Sequence, residues 1–156
     1  MTVEPMHLPF PVTRVGAHMT GVPRCVSADD SLAVAAEVMR DYGMRHVPVL
    51  EAGRPVGVVG ERDLLIAENL APNAWRQNRV FDAMVGIPYC TSKDATVSEV
   101  AQHMALRGLD VALVMSGGRI RGLFSTANAL ALLADLAGRI VAGPGLLSDP
   151  GSSMSA

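Results

Sequence analysis

The feature that most constrains this chain is an internal repeat. Displaced by 65 residues, the separation of Met19 from Met84, the sequence places Cys90 on Cys25, Thr96 on Ser31 and Met104 on Met39. Without a gap, the same displacement carries Gly43 to Gly108, Val49 to Val114, Gly53 to Gly118, Gly57 to Gly122 and Asp63 to Asn128. Matches that fall on caps, turns and core positions mark a duplication. Each copy, at about sixty residues, is too short to cover both faces of a sheet, so the two must share a core.

Both copies read as strand, helix, strand, strand, helix. A short segment ends at Met19 or Met84, and a brief strand follows at Arg24-Cys25-Val26 or Tyr89-Cys90-Thr91. A helix then opens at Ser31 or Thr96, and Thr96 with Glu99 forms a capping box. Leu32, Ala35, Ala36 and Met39 fall at helical spacing, as do Val97, Val100, Ala101 and Met104. Gly43 and Gly108 supply the left-handed stop. Val47–Leu50 and Val56–Val59 make a hairpin around Glu51-Ala52-Gly53-Arg54. The second hairpin joins 111–115 to 120–124 around Ser116-Gly117-Gly118-Arg119. Closing helices fall near 61–70 and 126–137. The fold class is α/β (α+β), with an extension over 1–11, repeats at 12–70 and 80–137, a linker over 71–79, and a tail over 138–156 expected to be disordered.

Composition narrows the functions. Apolar residues reach 49% while aromatics are 4%, so Val, Ala, Leu and Met must fill thin, close layers. The net charge of −2 and the lack of a Lys/Arg stripe argue against nucleic acid as a partner. The apolar stretch near Ala129–Ala134 is cut by Asp135 and Arg139, so no membrane span is expected. Met1–Pro5 lacks the basic start of a secretory signal, which points to a cytoplasmic protein. Cys25 and Cys90 read as reduced, buried small hydrophobes, with a redox pair as the less favoured alternative. His7, His18, His46 and His103 have no metal-ligand spacing, and the recurring methionines fit core filling. No nucleophile with its base and no phosphate loop of the GxxxxGK type is present, so catalysis is not expected.

Over roughly residues 12–137 the chain resembles a tandem pair of cystathionine-β-synthase (CBS) domains, a Bateman module. The resemblance rests on Val15 through Met19-Thr20, Asp30-Ser31-Leu32, Arg45-His46-Val47-Pro48-Val49 and Gly57-Val58-Val59-Gly60-Glu61-Arg62-Asp63. It implies two repeats packed sheet to sheet about a pseudo-twofold axis, with adenine nucleotides or adenosyl compounds bound in the clefts between them. No cofactor is required. The expected ligand is AMP, ADP, ATP or an S-adenosyl compound, held in one main cleft centred on Asp63 and signalled to an unknown protein effector.

Asp63 matches the family's ribose-binding acid, since one carboxylate can accept from two vicinal hydroxyls. Gly60 stands where a hydroxyl residue is expected, which removes one hydrogen bond worth about 0.5–1.5 kcal/mol. Arg45, His46 and Arg62 are candidates for phosphate. Val26, Val47 and Pro48 are candidate adenine contacts. The second copy keeps Ser125 but has Asn128 for the acid and Asp110-Val111 for Arg45-His46, so weaker binding is expected there.

Other readings stand beside these. Asp63 can serve only as a helix cap, Arg45 and Arg62 as surface cations, and His46 as a packed or surface histidine. The module as a whole can be a dimerisation or docking scaffold without ligand, or can take a coenzyme or cyclic dinucleotide instead. Apolar residues on more than one face of the closing helices, Leu64–Ile66 and Leu130–Leu133, predict a homodimer.

Overall fold

A computed structural model describes residues 12–21 and 24–141. The extension over 1–11 and positions 142–156 of the tail lie outside the described residues. In the first repeat, β1 (Val26–Ser27) leads to α1 (Leu32–Tyr42), the hairpin β2 (His46–Glu51) and β3 (Arg54–Gly60), and α2 (Glu61–Leu70). A 3-10 turn at Ala74–Arg76, a short helix α3 (Val80–Ala83) and β4 (Val85–Gly86) carry the chain across. The second repeat runs β5 (Cys90–Ser92), α4 (Val97–Arg107), β6 (Val111–Ser116), β7 (Arg119–Ser125) and α5 (Thr126–Val141).

Local rules account for these boundaries. Gly43 and Gly108 both close their helices at φ 62°, a left-handed conformation that costs glycine little. At the hairpin tips, Ala52 and Gly53 have φ of 48° and 76°, and Gly117 and Gly118 have 58° and 72°. Two successive left-handed residues define the turn whose twist matches the strands. Both hairpins also shift register at equivalent places, Val49/Leu50 and Val114/Met115.

The sheets have the orders β1-β2-β3-β4 and β5-β6-β7, with β1 and β5 parallel to their neighbours. One face of each sheet packs on its own helices. Leu32, Ala35, Met39, Val47, Val49, Val59 and Leu64 form the first core, and Val100, Met104, Ala112, Val114 and Phe124 the second. A third cluster, Val58 with Leu113 and Leu123, joins the two sheets face to face. This is the packing about a pseudo-twofold axis that the duplication required.

The lead segments cross over. Val15 lies in the second repeat's core and Val80 in the first's. The Leu32 N–H donates to the Asn78 carbonyl (3.1 Å), and the equivalent Val97 N–H donates to that of Thr13 (2.8 Å). The Val80 N–H donates to Asp30 (2.8 Å) as the Val15 N–H donates to Ala95 (2.9 Å). Val85 pairs with Val58 in β3, and Thr20 pairs with Leu123 in β7. The crossing explains a pair of glycines. A Cβ on Gly57 would lie 2.6 Å from the Met84 Sδ and 2.7 Å from the Val85 carbonyl oxygen. One on Gly122 would lie 2.8 Å from the Met19 Sδ and collide with the Thr20 carbonyl.

Two sequence expectations are corrected. The closing helix does not stop near residue 137. It runs through Gly138 to Val141, with Asp135 and Arg139 bridged at 3.1 Å one turn apart. Cys25 is half-buried and Cys90 exposed, so neither is a buried core residue. What burial there is pushes both thiols up, away from reactive thiolate. The helix starts fall where the sequence places them: Ser31 occupies the N-cap of α1, without a side-chain cap bond, and Thr96 and Glu99 make the full box.

Candidate functional site: the clefts at the strand–helix junctions

Two equivalent junctions lie where the last strand of each repeat enters its closing helix. In the first, Gly60 takes an extended N-cap conformation and its N–H donates to Asp63 Oδ2 at 2.7 Å. Asp63 therefore caps α2, and it also lines a cavity of about 230 Å³ with Leu32, Ile66, Leu70, Asn78 and Asp82. In the second, the Ser125 N–H and Oγ both bond Asn128 Oδ1 at 2.8 Å, and the Asn128 N–H returns to Ser125 Oγ at 3.3 Å.

The cross-strand neighbour explains why glycine stands at the first junction. Gly60 pairs with His46, and a Cβ on Gly60 would lie 3.1 Å from His46 Cδ2 and 3.4 Å from Asp63 Oδ2. The imidazole occupies the room a serine side chain would need. At the second junction the partner of Ser125 is the slimmer Val111.

Arg45 and His46 face the other repeat. They line a cleft of about 270 Å³ whose far wall is Leu123, Ser125 and Thr126, with Thr20, Tyr42 and Met44 completing it. The Glu61 N–H donates to the Arg45 carbonyl (3.1 Å), which fixes the backbone there, while the exposed Arg45 side chain approaches Glu61 at 3.7 Å. That exposed pair is weak, so Arg45 is available to a stronger anion. The structure thus brings Arg45 and His46 together with Ser125 across the repeat boundary, while Asp63 lines a separate cavity.

The remaining candidates divide. Arg62 is exposed on the first turn of α2. Val26 and Val47 are sealed in the first core, at 4% and 0% exposure, and Pro48 is fully buried. They shape the sheet beneath the junction and offer no open surface to a ring. Thr20, Tyr42 and Thr126 were not singled out by sequence reasoning. Thr126 directly follows Ser125, and that adjacency was the available signal. Tyr42 is held in place by the Arg24 guanidinium, 4.6 Å above its ring centroid.

The architecture defines a class: a duplicated βαββα module with exchanged lead segments and a cleft walled by both repeats. Residues 12–69 match the family model of the CBS domain. No curated protein matches the chain. Among solved structures, a putative acetoin utilization protein (AcuB) from Vibrio cholerae aligns at TM-score 0.70 and 21% identity, covering 86% of this chain and all (100%) of that one. The CBS domain pair of protein MJ0100, in complex with 5-methylthioadenosine and S-adenosyl-L-methionine, aligns at 0.71 and 21%, covering 81% and 99%. CBSX2 in complex with AMP aligns at 0.66 and 20%, covering 80% and 98%. Residues 12–69 thus match the CBS domain, and the chain as a whole has the fold of the CBS domain pairs it aligns with.

Proposed function

We propose that the chain is a regulatory module that takes an adenine nucleotide or related adenosyl compound between its repeats and reports occupancy to a protein effector. The observation that carries this reading is the inter-repeat cleft, where Arg45 and His46 of one copy face Ser125 and Thr126 of the other. The start of α5 adds a partial positive charge on the same wall, which suits a phosphate. The volume of about 270 Å³ is near the small end of ligand pockets. The ligands named for the MJ0100 pair and CBSX2 are adenosyl compounds of this kind. Within this cleft a sugar would meet Ser125 and Thr126, while the two N3 side chains lie outside its lining and Asp63 belongs to the separate cavity. Asn128 Oδ1 is engaged by Ser125, whereas Asp63 spends one oxygen on Gly60, so Asp63 is the stronger acceptor.

Calorimetry with AMP, ATP, 5-methylthioadenosine and S-adenosylmethionine tests the reading. At least one should bind and raise Tm. Arg45→Ala should weaken a phosphate-bearing ligand by roughly 10- to 100-fold, the worth of a charged hydrogen bond. Asp63 lines a separate cavity, so an Asp63→Ala variant that lost ligand-induced stabilisation would move the site from the inter-repeat cleft to that cavity. Folded protein that takes none of the four at millimolar concentration would overturn the proposal in favour of a scaffold.

The module is further proposed to work as a homodimer. Ile66, Leu70, Leu133 and Ile140 are exposed apolar residues on the closing helices. Light scattering at micromolar concentration should give twice the chain mass, and a monomer would exclude it. Among the described residues no helix is long and apolar enough to cross a membrane.

A further inference from the structure

The pseudo-symmetry points to where the chain ahead of Val12 goes. Residues 13–20 follow over the second repeat the same path that 78–85 follow over the first, hydrogen bond for hydrogen bond. Three residues ahead of Asn78, in the 3-10 turn Ala74–Arg76, stands Trp75. Its indole packs against the first core and lines a cavity of about 450 Å³ with Ala36, Met39, Leu64 and Leu65 between α1 and α2. Three residues ahead of Thr13 stands Phe10, an aromatic 65 residues from Trp75, the displacement that relates the repeats throughout.

The equivalent positions on the second repeat are more apolar. Ala101, Met104, Ala129 and Leu130 replace Ala36, Met39, Leu64 and Leu65, and Ala105 and Thr126 replace the charged rim of Arg40 and Glu61. Shortening Leu64 to Ala129 leaves room for a ring, and Leu130 is 65% exposed in the described structure. Val12 already lies on this side, lining an apolar cavity of about 370 Å³ with Val97, Leu132 and Leu136. Three residues reach about 10 Å, enough to carry Phe10 from Thr13 onto the adjoining α4–α5 face. Pro9 and Pro11 on either side restrict the free chain and lessen the entropy lost when it is ordered.

We propose that Phe10, outside the described residues, docks on the α4–α5 face formed by Ala101, Met104, Ala129 and Leu130, and closes the second repeat as Trp75 closes the first. The occupant is this chain's own leading segment. The face adjoins Thr126 on the wall of the inter-repeat cleft, so the docked segment also braces the start of α5.

The test uses the full chain with Trp75→Phe and Phe10→Trp, which leaves one indole, at position 10. Its emission should be blue-shifted and poorly quenched by acrylamide, unchanged on dilution from micromolar to nanomolar protein. Adding Leu130→Glu should shift it red and raise quenching. A solvent-like spectrum in protein shown to be folded by circular dichroism would overturn the proposal. So would shielding that vanishes on dilution, or a Leu130→Glu change that alters only the oligomeric mass, because either assigns the face to a second copy.

Discussion

The two strand–helix junctions began as one sequence and now differ in a particular way. Both keep the backbone bond from the N-cap amide to the N3 side chain, Gly60 to Asp63 and Ser125 to Asn128, at 2.7 and 2.8 Å. A helix start leaves amides without partners, and an acceptor at N3 is a local remedy that either Asp or Asn provides. The hydroxyl at the N-cap is not needed for that, so it has diverged. In the second copy Ser125 and Asn128 satisfy each other; in the first the hydroxyl is gone, His46 fills the space, and Asp63 is left with an uncommitted oxygen beside a cavity. Requirements of the backbone held the fold, while the chemistry of the two clefts drifted apart. One copy carries the cation Arg45, followed by His46, where the other has Asp110-Val111.

The largest expected effect compares the two cores. Val59 and Phe124 are equivalent, and both have 0% exposure. Phe124→Ala should cost about 3–5 kcal/mol and Val59→Ala about 2 kcal/mol, following the volume removed. Because Val58, Leu113 and Leu123 join the sheets, urea unfolding should show one shared transition for both variants. Two separated transitions would mean that the repeats are independent folding units. Next in size are Gly57→Ala and Gly122→Ala, each expected to cost about 1–3 kcal/mol through overpacking against the crossing segment. A neutral result at either glycine would show that the lead segment does not press on that strand.

The junctions can then be interchanged. Gly60→Ser should destabilise by about 1.5 kcal/mol, because its Cβ crowds His46, and adding His46→Val should recover most of the loss. Additive costs in that double-mutant cycle would remove the steric account of Gly60.

Much of this architecture was legible from residues alone, and the parts that were not share a cause. Ser31, Thr96, Gly43 and Gly108 act within one turn of chain, so helix bounds followed from them, as the hairpins did from their left-handed tips. The crossing of lead segments was not legible, because a repeat shows which residues are equivalent and not which copy they pack on. Gly57 and Gly122 carried the signal, as glycines in strands where another backbone comes close. The closing helix is expected near 126–137, yet Gly138 does not stop it: an interior glycine costs only about 1 kcal/mol, and the Asp135–Arg139 pair spans it. For the site, the junction residues followed from sequence, but the placement of Arg45 and His46 opposite Ser125 depends on how two sheets face each other. Such long-range placement leaves no local mark.

The smallest effect concerns the helix starts, where the copies differ again. Thr96 accepts from the Glu99 N–H at 3.2 Å, and Glu99 Oε2 in turn accepts from the Thr96 N–H and Oγ1 at 3.2 and 2.8 Å. Ser31 makes no such bond, so Thr96→Ala should cost about 1 kcal/mol and Ser31→Ala only a few tenths. The Thr96 hydrogen bonds, side chain first and backbone second, hold the Glu99 carboxyl below its ordinary range. A depressed folded-state value means that the contribution of Glu99 is complete above its unfolded pKa, near 4.3, and is lost as pH falls through the lower folded value. The stability gap between parent and Thr96→Ala, followed by thermal unfolding from neutral pH downward, should therefore narrow in acid. The gap between parent and Ser31→Ala should stay flat, and a gap for Thr96→Ala that is equally flat would detach the box from Glu99 ionisation.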